Sequence, residues 1–173
     1  MRTTGATAVL VLAGVMPALA AELPSRKAGL WEVRTSIENR NGPSVTIQQC
    51  IDASTDQMMQ SSAGPLAQAA CSRRDVQKSG DTTTIDSTCT LAGKTATAHA
   101  VIAGSFDSAY TMTVTTESNA LQGGKMTMTM VAKWLGPCTA DQKPGDMILA
   151  NGVKINILEM QKRDPSQGVP LRP

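Results

Sequence analysis

The chain has 173 residues, a formal net charge of +2 and 41% apolar residues. That length suits one domain built on a single core. So small a charge argues against a protein that holds nucleic-acid backbones, and 2% aromatic residues are too few for a surface that stacks bases. With His99 as its single histidine, the chain lacks the side chains for most histidine-based metal sites and catalytic triads.

The amino terminus has the pattern of a secretory signal peptide. A positive start and an apolar stretch over 8–15 precede small residues that predict cleavage between Ala20 and Ala21. The apolar stretch is too short to span a bilayer, so an uncleaved membrane anchor is the less favoured alternative. We therefore expect a signal peptide over 1–20 and one domain with a loose carboxyl-terminal tail over 21–173. The mature protein is expected to be periplasmic or secreted, with no transmembrane segment.

All four cysteines lie beyond the predicted cleavage point. An even count in an oxidising compartment favours disulfides, and the cysteines are too widely spaced for the close pairs of zinc sites. Gly80 lies midway between Cys71 and Cys89, within a turn sequence. A hairpin centred there places these two cysteines opposite each other, within disulfide range. The sequence therefore predicts Cys71–Cys89 and, by elimination, Cys50–Cys138.

Alternation of apolar and polar residues predicts antiparallel strands along most of the chain. Between 29 and 37, for example, Trp31 and Val33 alternate with Glu32 and Arg34. Threonine, which suits a strand face that meets solvent, dominates the middle of the chain. The strands expected are 29–37, 44–50, the two arms of the hairpin around Gly80, 94–103, 108–117, 125–135, and 147–150 with 153–156 joined by a two-residue turn at Asn151-Gly152.

Short helices are expected between and after the strands. Ser54 with Gln57 has the spacing of a capping box, and one more helical turn is expected over 66–70. Asn156 with Glu159 predicts the cap of a final short helix. The predicted fold is mainly β: a single antiparallel curved sheet or partly closed β-barrel of about eight strands, with short helices and two disulfides.

The most distinctive local pattern is the alternation of threonine with Met126, Met128 and Met130. On a strand these methionines share one face. If the preceding strand pairs so that Met112 opposes Met130 and Val114 opposes Met128, that face is either a filled core or the lining of a pocket. The residues expected to line such a pocket are Trp31, Tyr110, Met112, Val114, Met128, Met130 and Trp134.

The same methionines allow an alternative interpretation as a copper-handling site. Thioether sulfur is a soft ligand that suits Cu(I). However, His99 has the opposite parity on its strand and is expected to face solvent, away from the methionines. The stripe would then lack its best nitrogen ligand, so we favour the core interpretation and expect no cofactor and no metal site.

Motifs for catalysis are missing from the sequence. It contains no nucleophile elbow, phosphate-binding loop, dinucleotide fingerprint or zinc-protease motif. Asp75, Asp81 and Asp86 around one hairpin, and Asp141 and Asp146 beside a Lys-Pro-Gly turn, are expected to be solvated carboxylates. We predict no catalytic residue and expect a non-enzyme that binds a small apolar ligand or an envelope partner. A purely structural role in the envelope and metal handling are the alternatives.

Four blocks of sequence are distinctive when taken in order: Arg26-Lys-Ala-Gly-Leu-Trp-Glu-Val33, Gln48-Gln-Cys-Ile-Asp52, Ala132-Lys-Trp-Leu-Gly-Pro-Cys138 and Lys143-Pro-Gly-Asp146. Their order resembles the domain-of-unknown-function family 3617 of small secreted proteobacterial proteins. The resemblance implies export and a cysteine-stapled β-rich domain, and it implies no activity and no functional residue.

Replacing Met128 with leucine separates the two interpretations of the methionine stripe. Leucine and methionine have similar volumes, so Met128→Leu should change the free energy of unfolding by less than about 1.5 kcal/mol. We expect Cu(I) to leave the melting temperature of the unmodified protein unchanged. A rise of several degrees on adding Cu(I), lost in Met128→Leu, would instead identify the stripe as a copper site.

Overall fold

The computed structural model describes residues 24–38, 43–62, 70–91, 93–121 and 123–163. The elements formed by these residues are, in chain order, β1 (Gly29–Ile37), β2 (Val45–Ile51), α1 (Ala53–Ser62), β3 (Ala70–Ser79), β4 (Thr82–Leu91), β5 (Lys94–Ser105), β6 (Ala109–Ser118), β7 (Lys125–Gly136), β8 (Asp146–Ile148), β9 (Lys154–Asn156) and α2 (Ile157–Arg163).

The strands form one antiparallel sheet. Its spatial order is β3-β4-β5-β6-β7-β1-β2-β8-β9, so β3 and β9 are its edges and the sheet is not closed. The mainly β fold expected from the sequence is confirmed, with nine strands in place of about eight. The predicted signal peptide and carboxyl-terminal tail lie outside the described residues.

Both predicted disulfide pairings are confirmed. Cys71 opposes Cys89 in the register of β3 and β4, and their sulfur atoms are at bonding distance. Cys50 and Cys138 form the second bridge, with their Cα atoms 5.5 Å apart. Cys50 lies on β2 and Cys138 follows β7, the two strands that flank β1 in the sheet. The second bridge therefore ties together both neighbours of β1.

The cap of α1 differs from the one predicted. Because α1 begins at Ala53, the cap is Asp52 and not Ser54. The Thr55 backbone N–H donates to Asp52 Oδ1 at 2.9 Å, and the Asp52 backbone N–H donates to Thr55 Oγ1 at 2.9 Å. The bond from the Thr55 amide is the main reason that the pKa of Asp52 lies below its ordinary value, since it stabilises the carboxylate. The helical turn expected over 66–70 lies outside the described residues, except for its last residue, which begins β3.

The connection between β8 and β9 is longer than predicted. Ile148 pairs with Lys154, which leaves 149–153 as the loop. Within it, the Leu149 N–H donates to the Val153 carbonyl at 2.9 Å. The predicted two-residue turn is wrong because this bond, with that from the Gly152 N–H to the Leu149 carbonyl at 2.8 Å, encloses three residues at the tip, 150–152.

The prediction that Asp146 is a solvated turn residue is also wrong. Its side chain accepts from the Lys143 N–H at 3.0 Å and from Asn156 Nδ2 at 2.7 Å, and the residue is 4% exposed. It is buried because β9 brings Asn156 against the turn that precedes β8. Asn156 also caps α2, as predicted, by accepting from the Glu159 N–H at 3.3 Å. Asp141 is exposed, and hydrogen bonds from the side chains of Thr139 and Lys154 lower its pKa.

Strand parity divides the sheet into two faces. The inner face carries Trp31, Ala100 and Ala132, which are 0–9% exposed. Met59 of α1 and Ile157 of α2 belong to the same core. Helix α1 packs against β2 and α2, while α2 packs against β9, so the helices cover the inner face at the end of the sheet near β2 and β9. Neither helix is long and apolar enough to cross a membrane, a finding that covers the described residues.

Removing the Cys50–Cys138 bridge should destabilise the protein more than removing Cys71–Cys89. The sequence separations are 88 and 18 residues, for which chain entropy gives about 4.5 and about 3 kcal/mol. We expect the two Cys→Ser double variants to lose free energy of unfolding in that order. Urea unfolding followed by tryptophan fluorescence measures both, and the reverse order would contradict the entropic explanation.

Candidate binding site

A continuous row of apolar side chains crosses the inner face from β3 to β1. Each of six neighbouring strands contributes one side chain, and the register places it directly opposite the side chain contributed by the adjacent strand. Because neighbouring strands lie about 4.8 Å apart, the row spans about 24 Å. We call it the apolar row. In order from the sheet edge, its members are Val76, Ile85, Ala100, Val114, Met128 and Ile37.

Two further rows flank the apolar row on the same face. The register confirms the predicted pairing of Met112 with Met130 and of Val114 with Met128. The methionines of β7 therefore face inward together, in the order expected from their spacing. One flanking row contains Arg74, Ser87, Ala98, Thr116 and Met126, and the other contains Lys78, Thr83, Ile102, Met112 and Met130.

The apolar row is partly open to solvent. Ile85 and Ala100 are 8% and 9% exposed, whereas Val76, Val114 and Met128 are half-buried. The helices pack at the opposite end of the sheet, against β2 and β9. Ile85 and Ala100 belong to the same core cluster as Trp31, and Val76 and Val114 pack against that cluster. The row is therefore a partly exposed extension of the core towards β3.

The residues predicted to line a pocket fall into two groups. Trp31 is fully buried and Tyr110 is 9% exposed, with their ring centroids 6.0 Å apart. Burial raises the pKa of the Tyr110 hydroxyl above its ordinary value, since desolvation disfavours the phenolate. Both rings belong to the filled core, so the accessible surface rests on the second group, which is half-buried on the same face: Met112, Val114, Met128, Met130 and Trp134.

Thr116 is a feature that the sequence reasoning missed. It is 1% exposed, and its hydroxyl is the one buried side-chain polar atom that has no hydrogen-bond partner among the described residues. Its cross-strand neighbours are Ala98 and Met126. Leaving a buried hydroxyl unsatisfied costs about 1–3 kcal/mol. Threonine is common on these strands, so only the tertiary structure distinguishes this one.

A buried ion pair lies at the helix-covered end of the sheet. Arg26 Nε and Asp56 Oδ1 are 2.7 Å apart, and the side chains are 4% and 0% exposed. Asp56 also accepts from the Arg26 backbone N–H and from Gln60 Nε2, each at 2.7 Å. Arg26 donates in turn to Gln49 Oε1 at 2.9 Å, and its guanidinium lies 5.6 Å from the centre of the Trp31 ring. These bonds join the segment before β1 to β2 and α1, which is a structural role.

The outer face carries the only histidine of the chain. His99 Nδ1 and Asp86 Oδ1 are 2.7 Å apart, and both side chains are more than half exposed. On the neighbouring edge strand, Arg73 pairs with Asp75 at 2.6 Å. His99 faces solvent and points away from the methionines, as predicted. In the described ranges, no three histidine, cysteine, aspartate or glutamate side chains are grouped to hold a metal ion.

The sequence blocks that carry the family resemblance meet in space. Leu30 of β1 pairs with Cys50 on one side and with Gly136 on the other. The Gly145 N–H donates to the Cys50 carbonyl at 2.9 Å. Gly29 has a φ of +132°, and a Cβ there would collide with the Gly136 carbonyl. The blocks therefore build the helix-covered end of the sheet.

A protein-family comparison covers the same region. A family model described as "Protein of unknown function (DUF3617)" matches residues 26–138. The chain belongs to this family. The matched range contains both disulfides and the whole apolar row, and the family description assigns no activity. No curated protein and no solved structure matches the chain.

Replacing Arg26 with methionine should destabilise the protein strongly, because Asp56 would remain as a buried charge without its partner. We expect Arg26→Met to lower the free energy of unfolding by about 3–5 kcal/mol, and Arg26→Met/Asp56→Leu to recover part of that loss. Arg73→Met removes an exposed ion pair and should cost less than about 1 kcal/mol. Urea unfolding measures all three, and equal losses for Arg26→Met and Arg73→Met would contradict this role.

Proposed function

We propose that this protein is an exported, non-catalytic binding protein for a small apolar molecule that lies along the apolar row. The observation that carries the proposal is the continuity of that row. Six adjacent strands each contribute one apolar side chain, and several of these side chains remain accessible to solvent. Adjoining apolar side chains that stay partly exposed form a candidate binding surface.

The side chains around the row suit an adaptable site. Methionine is unbranched and polarisable, so Met112, Met128 and Met130 can adjust to ligands of different shape. In the flanking row, the Thr116 hydroxyl lies beside Met126, buried and without a partner among the described residues. A polar atom of a ligand, or a water molecule trapped beneath it, would satisfy this hydroxyl.

Export is supported by features away from the row. The amino terminus has the length and polarity of a signal peptide. The two disulfides are of the kind that persists in oxidising compartments. A periplasmic or secreted protein that binds an apolar molecule would shield it from water.

Binding can be tested with the uncharged fluorescent probe N-phenyl-1-naphthylamine. We expect the purified protein to increase the fluorescence of the probe saturably, because the probe leaves water for the apolar row. Met128→Lys should weaken probe binding at least about tenfold, since a charge placed on this surface must be desolvated when the probe binds.

Two variants serve as controls for this experiment. Val131 lies on the same strand as Met128 but on the outer face and is 46% exposed, so Val131→Lys should bind the probe like the unmodified protein. Met128→Leu keeps the apolar volume and should also bind it. No saturable binding, or equal binding by the two lysine variants at matched folded stability, would contradict the proposal.

A further inference from the structure

The distribution of charge around the apolar row suggests a ligand class. Across the apolar row and its two flanking rows, the charged side chains are Arg74 and Lys78. Both lie on the edge strand β3, one on each side of Val76, the first member of the apolar row. Both are exposed, and neither has an acidic partner among the described residues. One end of the row is therefore cationic and the rest is uncharged.

The opposite face of β3 does not share this arrangement. Arg73 and Asp75 point outward there and pair with each other at 2.6 Å. The positive charge of Arg73 is thus compensated locally, while no described acidic residue compensates those of Arg74 and Lys78. An unpaired arginine and lysine beside an apolar surface offer charge-assisted hydrogen bonds to an anionic group.

The dimensions restrict the ligand further. The apolar row is one side chain wide and about 24 Å long, which suits one extended hydrocarbon chain laid across the strands. Arg74 and Lys78 are separated by about 13 Å along β3, so their long side chains can converge on a headgroup placed over Val76. A single-chain molecule with an anionic head at one end matches both features.

Resting on the proposed function, we infer that the ligand is a long-chain fatty acid. Its carboxylate lies between Arg74 and Lys78, and its hydrocarbon chain follows the apolar row from Val76 towards Met128 and Ile37. The carboxylate remains at the solvent-exposed edge of the sheet, where its desolvation cost is small. The chain removes apolar surface of the row from water.

The inference is tested by comparing headgroups on one chain length. Myristate, tetradecanol and tetradecyltrimethylammonium are used to displace N-phenyl-1-naphthylamine from the unmodified protein, the two ionic compounds below their micelle concentrations and the alcohol below its solubility limit. We expect myristate to bind about tenfold more tightly than the trimethylammonium compound, with the alcohol between them. High salt should narrow this difference, because exposed charges are screened.

Variants of β3 identify the groups responsible. Arg74→Gln/Lys78→Gln should weaken myristate binding about 3- to 10-fold and abolish the preference for the anion, while N-phenyl-1-naphthylamine binds as before. Arg73→Gln removes a positive charge from the opposite face of the same strand and should leave the preference intact. The fatty-acid inference is wrong if the probe binds but the three compounds show no difference in affinity, or if the preference for myristate survives in the double variant. In either case the apolar site stands. If the probe itself does not bind, the proposed function fails as well.

Discussion

The buried ion pair between Arg26 and Asp56 organises the helix-covered end of an unclosed sheet. An antiparallel sheet with an apolar inner face must cover that face, and a sheet that does not close on itself needs other elements to do so. Here the segment before β1, strand β2 and helix α1 are joined through one guanidinium and one carboxylate. Each charge is largely satisfied by hydrogen bonds within the cluster, which offsets the cost of removing it from water.

The consequence of this arrangement is an asymmetric molecule. At the covered end, Trp31 is fully buried, and its indole N–H donates to the Lys27 carbonyl at 2.8 Å. The Cys50–Cys138 bridge lies at the same end. Among the described residues, the helices pack near β2 and β9, and Met128, nearer to β3, stays half-buried. The sequence blocks that carry the family resemblance lie at the covered end. They are therefore explained by the fold and give no information about a ligand.

The edge strand β3 must satisfy two requirements. Edge strands expose backbone groups that can pair with other chains, and charged residues discourage such pairing. On β3 the charges divide between the faces: Arg73 is paired with Asp75 on the outer face, whereas Arg74 and Lys78 lie on the inner face. Protection of the edge needs charge on the strand but does not require two cations beside Val76. Inward-pointing charges also protect an edge, so Arg74 and Lys78 would meet both requirements in the proposed complex.

Features that depend on local spacing could be predicted from the amino-acid sequence alone. Period-two alternation placed the strands and put the methionines of β7 on one face, and the symmetry of the hairpin about Gly80 gave the Cys71–Cys89 pairing. The cap of α2 at Asn156 was also predictable, because capping depends on a few neighbouring residues. These features follow from backbone geometry over short distances.

Which residues are buried and which stay exposed depends on tertiary contacts that the sequence pattern does not show. Asp146 was expected to be solvated and nothing in the sequence singled out Asp56, yet both are buried because other elements supply their partners. Trp31 and Met128 share the inner-face alternation, but one lies under the helices and the other beyond them. The unpartnered hydroxyl of Thr116 is likewise visible only in three dimensions. Alternation specifies the face of the sheet on which a side chain lies. Burial of that side chain depends on which elements pack over the face, and long-range contacts, not local spacing, determine that packing.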